Sequence, residues 1–83
     1  MAVNFEKLVL DLVTPLVIHP EDLLVKKFSE DENSITIQVL VNQEDLGRVI
    51  GKGGKIANAI RTISYAAASK QGKKIKIDID SFE

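Results

Sequence analysis

Gly47-Arg48-Val49-Ile50-Gly51-Lys52-Gly53-Gly54-Lys55-Ile56 sets three glycines in four positions between two segments of helical pattern. Gly51 and Gly54 have no Cβ, so they reach backbone angles closed to other residues and let a second chain approach closely. The helix that follows Gly54 begins with N–H groups that have no internal partner and point at the loop. Such a helix start is a seat for an anion, a phosphate among them. Lys52 and Lys55 place positive charge on either side and Arg48 adds more one turn earlier, while Ile50 offers an apolar wall for a base. A turn that only joins two helices needs one glycine. A Walker A loop needs Ser or Thr after its lysine, where Gly53 follows Lys52, and the glycine spacing is wrong for the dinucleotide fingerprint. A helix-turn-helix would put base-reading side chains on the second helix; that segment offers Asn58 and Arg61 but is otherwise rich in alanine and isoleucine.

Reading outward from the loop, Lys55 to Ser69 forms the longer helix, with Ile56, Ala59, Ile60, Ile63 and Ala67 as its apolar stripe. On the other side a short helix runs from Gln43 to Val49, capped by Asn42, with Glu44 and Asp45 suited to the positive end of its dipole. Before it, Ile35 to Val41 is the clearest strand: Ile35, Ile37, Val39 and Val41 share one face, and Thr36 and Gln38 the other. Leu23 to Phe28 reads as a preceding strand, joined through the polar turn Glu30 to Ser34 as an antiparallel hairpin. Phe5, Leu8, Val9, Leu12 and Val13 recur at helical spacing behind the cap Asn4. Pro15 either breaks that helix or begins a further turn through Leu16, Val17 and Ile18, and His19-Pro20 is a second break. Ile75, Ile77 and Ile79 alternate with charged residues in a last strand.

The order is α-β-β-α-α-β, and the fold class is α+β. The middle strand reaches the last one through two helices, so the two can lie parallel in a three-stranded mixed sheet. Helices on one face of that sheet are the economical packing. Ile37, Val39, Ile75 and Ile77 are then expected to meet Leu8, Leu12, Ile60 and Ile63, with Phe5 and Phe28 in the core.

Eighty-three residues suit one domain, 1–83. A chain this short buries only about 60% of its unfolded surface, so its stability margin is thin. There is no cysteine, which fits a reducing compartment. No long apolar run and no basic start followed by an apolar core mark a membrane span or signal peptide, and the expected location is cytoplasmic. The net charge of -1 hides a division. Residues 1–45 carry three Lys against nine acids, whereas residues 46–83 carry eight Lys or Arg against three acids. No acid stands between Leu46 and Ile77. A local positive field of this kind attracts phosphate even when the total charge does not.

Little else in the sequence suggests chemistry. His19 is the single histidine and lacks the convergent ligands a metal site requires. Ser64, Ser69 and Ser81 have no plausible base, and Glu30, Asp31 and Glu32 read as a solvated turn, so neither enzyme activity nor a cofactor is expected. The aromatic residues are Phe5, Phe28, Tyr65 and Phe82, and an aromatic platform for stacking bases has no support. Ile63 and Tyr65, beside the small residues Ala66, Ala67 and Ala68, mark a helix surface on which another helix can pack, a candidate dimer contact.

Val49-Ile50-Gly51-Lys52-Gly53-Gly54-Lys55-Ile56 resembles the signature of KH domains, and the element order is similar to the type II, prokaryotic arrangement. The length and the segment Gly47 to Arg61 resemble the small stand-alone bacterial KH proteins of the KhpA family. The resemblance implies that the G-x-x-G loop clamps the backbone of single-stranded RNA, about four nucleotides of it. Carried onto this sequence, the RNA-binding positions are Arg48, Ile50, Gly51, Lys52, Gly53, Gly54, Lys55 and Ile56. It further implies an RNA chaperone or post-transcriptional regulator that acts as a homodimer, or as a heterodimer with a larger Jag-like KH protein, with a hint of cell-shape or division control. An adaptor whose main task is protein pairing is the alternative, and a duplex-DNA binder a third. Lys70-Gln71-Gly72-Lys73 makes a very short variable loop, which implies a shallow groove.

Overall fold

Alternation along the strands decides which side of the sheet is dry. In β2 (Ser34–Val41), Ile35, Ile37, Val39 and Val41 are buried, while the residues between them are half-buried on the other face. β1 (Leu24–Glu30) pairs antiparallel with β2, and β3 (Lys74–Ser81) pairs parallel with it, so β2 is the central strand of a β1-β2-β3 sheet. The structure is a computed structural model and describes residues 3–82. α1 (Phe5–Val13), α2 (Gln43–Ile50) and α3 (Lys55–Ser69) complete the α+β order expected from sequence. α1 packs over β1 and beside α3, and α2 and α3 pack over β3. Among the described residues no helix is long and apolar enough to cross a membrane.

Local chemistry sets the boundaries. The Asn4 side chain accepts from the Lys7 N–H at 3.1 Å and caps α1. Pro15 does not end the helical path: it sits in a 3-10 turn over Thr14–Leu16, where an early proline needs no N–H donor. In the hairpin turn, Asp31 accepts from the N–H groups of Asn33 (2.7 Å) and Ser34 (2.8 Å). That local bonding is why an acidic stretch forms a defined turn. Glu30 at the end of β1 takes Lys27 (2.8 Å) from its own strand and Lys73 from the loop before β3, so the two outer strands are tied together at the hairpin end.

The core departs from the expected set in three places. α1 presents Phe5, Val9 and Val13 to the interior, and Leu8 and Leu12 flank it half-buried. α3 buries Ala57, Ile60, Ser64 and Ala68, so its dry stripe is rotated relative to the expected one, and Ile63 stands 48% exposed. Small residues at the contact let α3 lie close on the sheet; Ser64 fits there because its Oγ–H donates to the Ile60 carbonyl at 2.8 Å. Phe28 is not in the core: it is 70% exposed. The β1-β2 register slips between Lys27 and Ser29, a β-bulge that leaves Phe28 without a partner on β2. A bulge of this kind moves later residues by one position and re-aims side chains, which no simple alternation pattern anticipates.

Candidate nucleic-acid interface

α2 begins at Asn42, whose side chain accepts from the Glu44 N–H (2.9 Å), and ends where the Gly51 N–H donates to the Gly47 carbonyl (2.9 Å). The chain then turns through Gly51 (φ 76°, ψ 170°), Gly53 (φ 64°, ψ 17°) and Gly54 (φ 80°, ψ 11°), all in backbone regions unfavourable to other residues. At Gly51 the need is also steric, since a Cβ there would stand 2.7 Å from Ile56 Cγ1. Ile56 therefore closes over Gly51, and the half-buried Ile50 and Ile56 flank the loop with apolar surface. A Cβ at Gly53, by contrast, would meet nothing within 4 Å, so the tip of the loop is open.

From the sequence, the backbone N–H groups of Lys52 to Lys55 are expected to hold phosphates. The structure divides them. The Gly54 N–H donates to the Gly51 carbonyl at 3.1 Å and the Lys55 N–H to the Lys52 carbonyl. The N–H groups of Lys52 and Gly53 have no acceptor among the described residues, and both residues are exposed. Two adjacent free amides at an open tip are donors an anion can meet.

The basic half of the chain is sorted in the same way. Arg48 turns back along α2, donating to the Glu44 carbonyl (2.7 Å) and lying 3.7 Å from Asp45, so its guanidinium is engaged away from the loop. Arg61 donates from Nε (3.3 Å) and Nη2 (3.1 Å) to the Ile77 carbonyl on the edge strand β3. Lys73 pairs with Glu30. Lys52, Lys55, Lys70, Lys74 and Lys76 make no ion pair or side-chain hydrogen bond among the described residues. Lys52 and Lys55 are the loop's own free charges.

Three positioning residues escaped the reading of the sequence. Asp45 is fully buried and accepts from the N–H groups of Ile18 and His19, both at 3.0 Å. It ties the segment after α1 to the helix that leads into the glycine loop. Burial alone would raise its carboxyl pKa; the two amides, with His19 and Arg48 nearby, outweigh that and hold it below the ordinary value. His19 contacts Glu44 through Nε2 at 2.9 Å and so joins the same connection. Arg61 occupies an otherwise open carbonyl of the sheet edge, which limits edge-to-edge pairing. The sequence signal for Asp45 was its place in the first turn of α2, which also explains a purely solvated acid. The candidate dimer residues Ile63 and Tyr65 each stand 48% exposed on α3.

Comparison with known proteins places this geometry in a family. The family model described as "KhpA/KhpB, KH domain" matches residues 6–79. The "RNA-binding protein KhpA" of Listeria monocytogenes is 51% identical over 89% of this chain and 96% of its own length. The protein of the same name from Clostridium perfringens is 45% identical over 89% and 97%, and that of Bacillus subtilis 41% identical over 92% and 93%.

Proposed function

The chain belongs to the KhpA/KhpB KH-domain family, and from that premise we propose that it is a non-enzymatic RNA-binding protein that clamps a single-stranded backbone with its glycine loop. The observation that carries this reading is the pair of free N–H groups at Lys52 and Gly53, set at an open tip between two unpaired lysines. Phosphate oxygens accept from those amides, Lys52 and Lys55 neutralise charge, and Ile50 with Ile56 supplies apolar surface for a base. Such backbone contacts position the strand and carry no base code themselves. Binding through so few phosphates is modest and falls with salt, by about 0.7 in log–log slope per phosphate neutralised on a single strand.

The test is Lys52→Asp with Gly53→Asp. Both positions are exposed, and aspartate is among the few residues tolerated at a left-handed position such as Gly53. Fluorescence anisotropy with single-stranded RNA is expected to show at least about tenfold weaker binding and a shallower salt slope, with duplex DNA competing poorly against the native chain. Native affinity in the double variant overturns the clamp.

A second reading, pairing through α3, is favoured by the outward Ile63 and Tyr65. A second copy, or a larger KH-containing protein, would cover them and raise RNA affinity through effective concentration. Analytical ultracentrifugation on dilution checks this: dissociation promoted by Ile63→Asp supports it, and a native chain that is monomeric at every concentration refutes it.

A further inference from the structure

We infer that the open face of the sheet is a second contact surface for single-stranded RNA, with Phe28 stacking on a base and Lys26, Lys74 and Lys76 meeting phosphates. The strand registers place these residues together. Lys26 pairs with Gln38 and Ser29 with Thr36, while Thr36 pairs with Lys76 and Ser34 with Lys74 on the other side. Gln38, Thr36 and Ser34 belong to the half-buried, helix-free face of β2. Phe28 lies in the chain between Lys26 and Ser29, released from pairing by the bulge, and is 70% exposed. From β1 to β3 is two strand spacings, about 10 Å. An aromatic ring and lysines across such a distance are the elements of a sequence-tolerant platform, in which every base has a face to stack and every phosphate a charge to meet.

A single exposed apolar residue needs no explanation; its setting separates Phe28 from that case. Lys26, Lys74 and Lys76 are exposed and make no ion pair among the described residues. Of the acids at the hairpin end, Glu30 is engaged with Lys27 and Lys73, and Asp31 with the hairpin backbone. Glu32 at the hairpin tip is the exception. On the same face, Asp78 and Asp80 lie toward the far end of β3, beside Gln38 and Leu40. The face is therefore polarised, and a polyanion is favoured at the hairpin end. α3 carries the glycine loop at its start and feeds through a short turn into β3 at its end. The platform is thus on the other face of the molecule from the loop and displaced by roughly the length of α3, about 20 Å. One strand engaging both surfaces gains from local concentration with no new contact between them. The inference takes its ligand class from the proposed function but does not depend on the loop.

The experiment measures oligouridylate binding by fluorescence anisotropy for the native chain, Phe28→Ala, Phe28→Tyr, Lys76→Gln and the loop variant Lys52→Asp/Gly53→Asp. Phe28→Ala is expected to weaken binding about 5- to 160-fold, the range for loss of one stacked base, and Phe28→Tyr to restore it. Lys76→Gln is expected to lower the salt slope by about 0.7. Photo-crosslinking of 4-thiouridine RNA to the peptide containing Phe28, retained in the loop variant, assigns the contact to the sheet directly. Melting temperatures equal to the native value establish that the exposed substitutions leave the fold intact. Native affinity for Phe28→Ala and Lys76→Gln, with the loop variant defective, overturns the platform alone. Loss of binding in the sheet variants with a fully active loop variant overturns the clamp alone. A Phe28→Ala change that alters sedimentation but not RNA binding assigns the face to self-association and also overturns the platform.

Discussion

Replacing Gly51 with alanine tests whether the loop's shape is imposed by one residue or shared among its glycines. Gly51 has φ 76° and ψ 170°, a combination open essentially to glycine; holding alanine there costs about 1–3 kcal/mol. The new methyl would also stand 2.7 Å from Ile56 Cγ1 and 3.0 Å from Ile56 Cβ and Cδ1. Carbon atoms rest at roughly 3.5–4.0 Å, so Ile56 must move, and overpacking of this sort adds about 1–3 kcal/mol. The sum is about 2–6 kcal/mol, against a total stability of roughly 4–12 kcal/mol for a domain of this size. In a thermal melt followed by circular dichroism this corresponds to a fall of about 8–48 °C, at about 4–8 °C per kcal/mol. Gly53→Ala is the internal control: its φ of 64° is equally left-handed, but nothing lies within 4 Å of the added methyl, so it should cost only the backbone contribution, about 1–2 kcal/mol. Urea unfolding of both variants in an Ile56→Ala background isolates the steric contribution as a coupling energy. Equal costs at the two positions, or a Gly51→Ala cost unchanged when Ile56 is truncated, refute the reasoning.

Three further outcomes follow from the packing and the ion pairs. Glu30 is pulled from its ordinary 4.5 to about 2, first by the Lys27 hydrogen bond and then by that of Lys73, with burial opposing. Because the folded chain binds that proton less readily than the unfolded chain, the stabilisation is complete above the ordinary value and is lost as pH falls toward 2. Acid titration of the melting temperature should therefore drop through that window, and Glu30→Gln should flatten the drop while lowering the plateau near neutrality. Asp45→Ala should destabilise the domain more than Asp45→Asn, because the amides of Ile18 and His19 lose every acceptor in the first case and keep a carbonyl in the second; urea midpoints compare them. Ile37 is fully buried at the centre of the sheet, so Ile37→Ala should cost about 2–5 kcal/mol and Ile37→Val about 0.5–1.5 kcal/mol. Equal urea midpoints for those two variants would show that the sheet centre is not tightly packed.

The glycine loop, the alternation of β2 and β3 and the caps at Asn4 and Asn42 were legible because each depends on neighbours a few residues away. Backbone freedom at Gly51, the two-residue repeat of Ile75, Ile77 and Ile79, and an Asn side chain accepting from an N–H two or three residues on are local facts. The order α-β-β-α-α-β, and with it the parallel join of β2 to β3, followed from them. Tertiary contact decided the remainder. Asp45 is buried because backbone more than twenty-five residues earlier in the chain turns two N–H groups toward it. Arg61 and Lys73 look like free charge in the sequence but are engaged, each by an acceptor that only the folded chain brings within reach. The bulge that turns Phe28 outward is a property of the β1-β2 pairing, not of either strand alone. Hydrophobic period and backbone freedom are carried within a short segment, whereas the availability of a charge, an amide or an aromatic ring is a difference between partners, and folding chooses the partners.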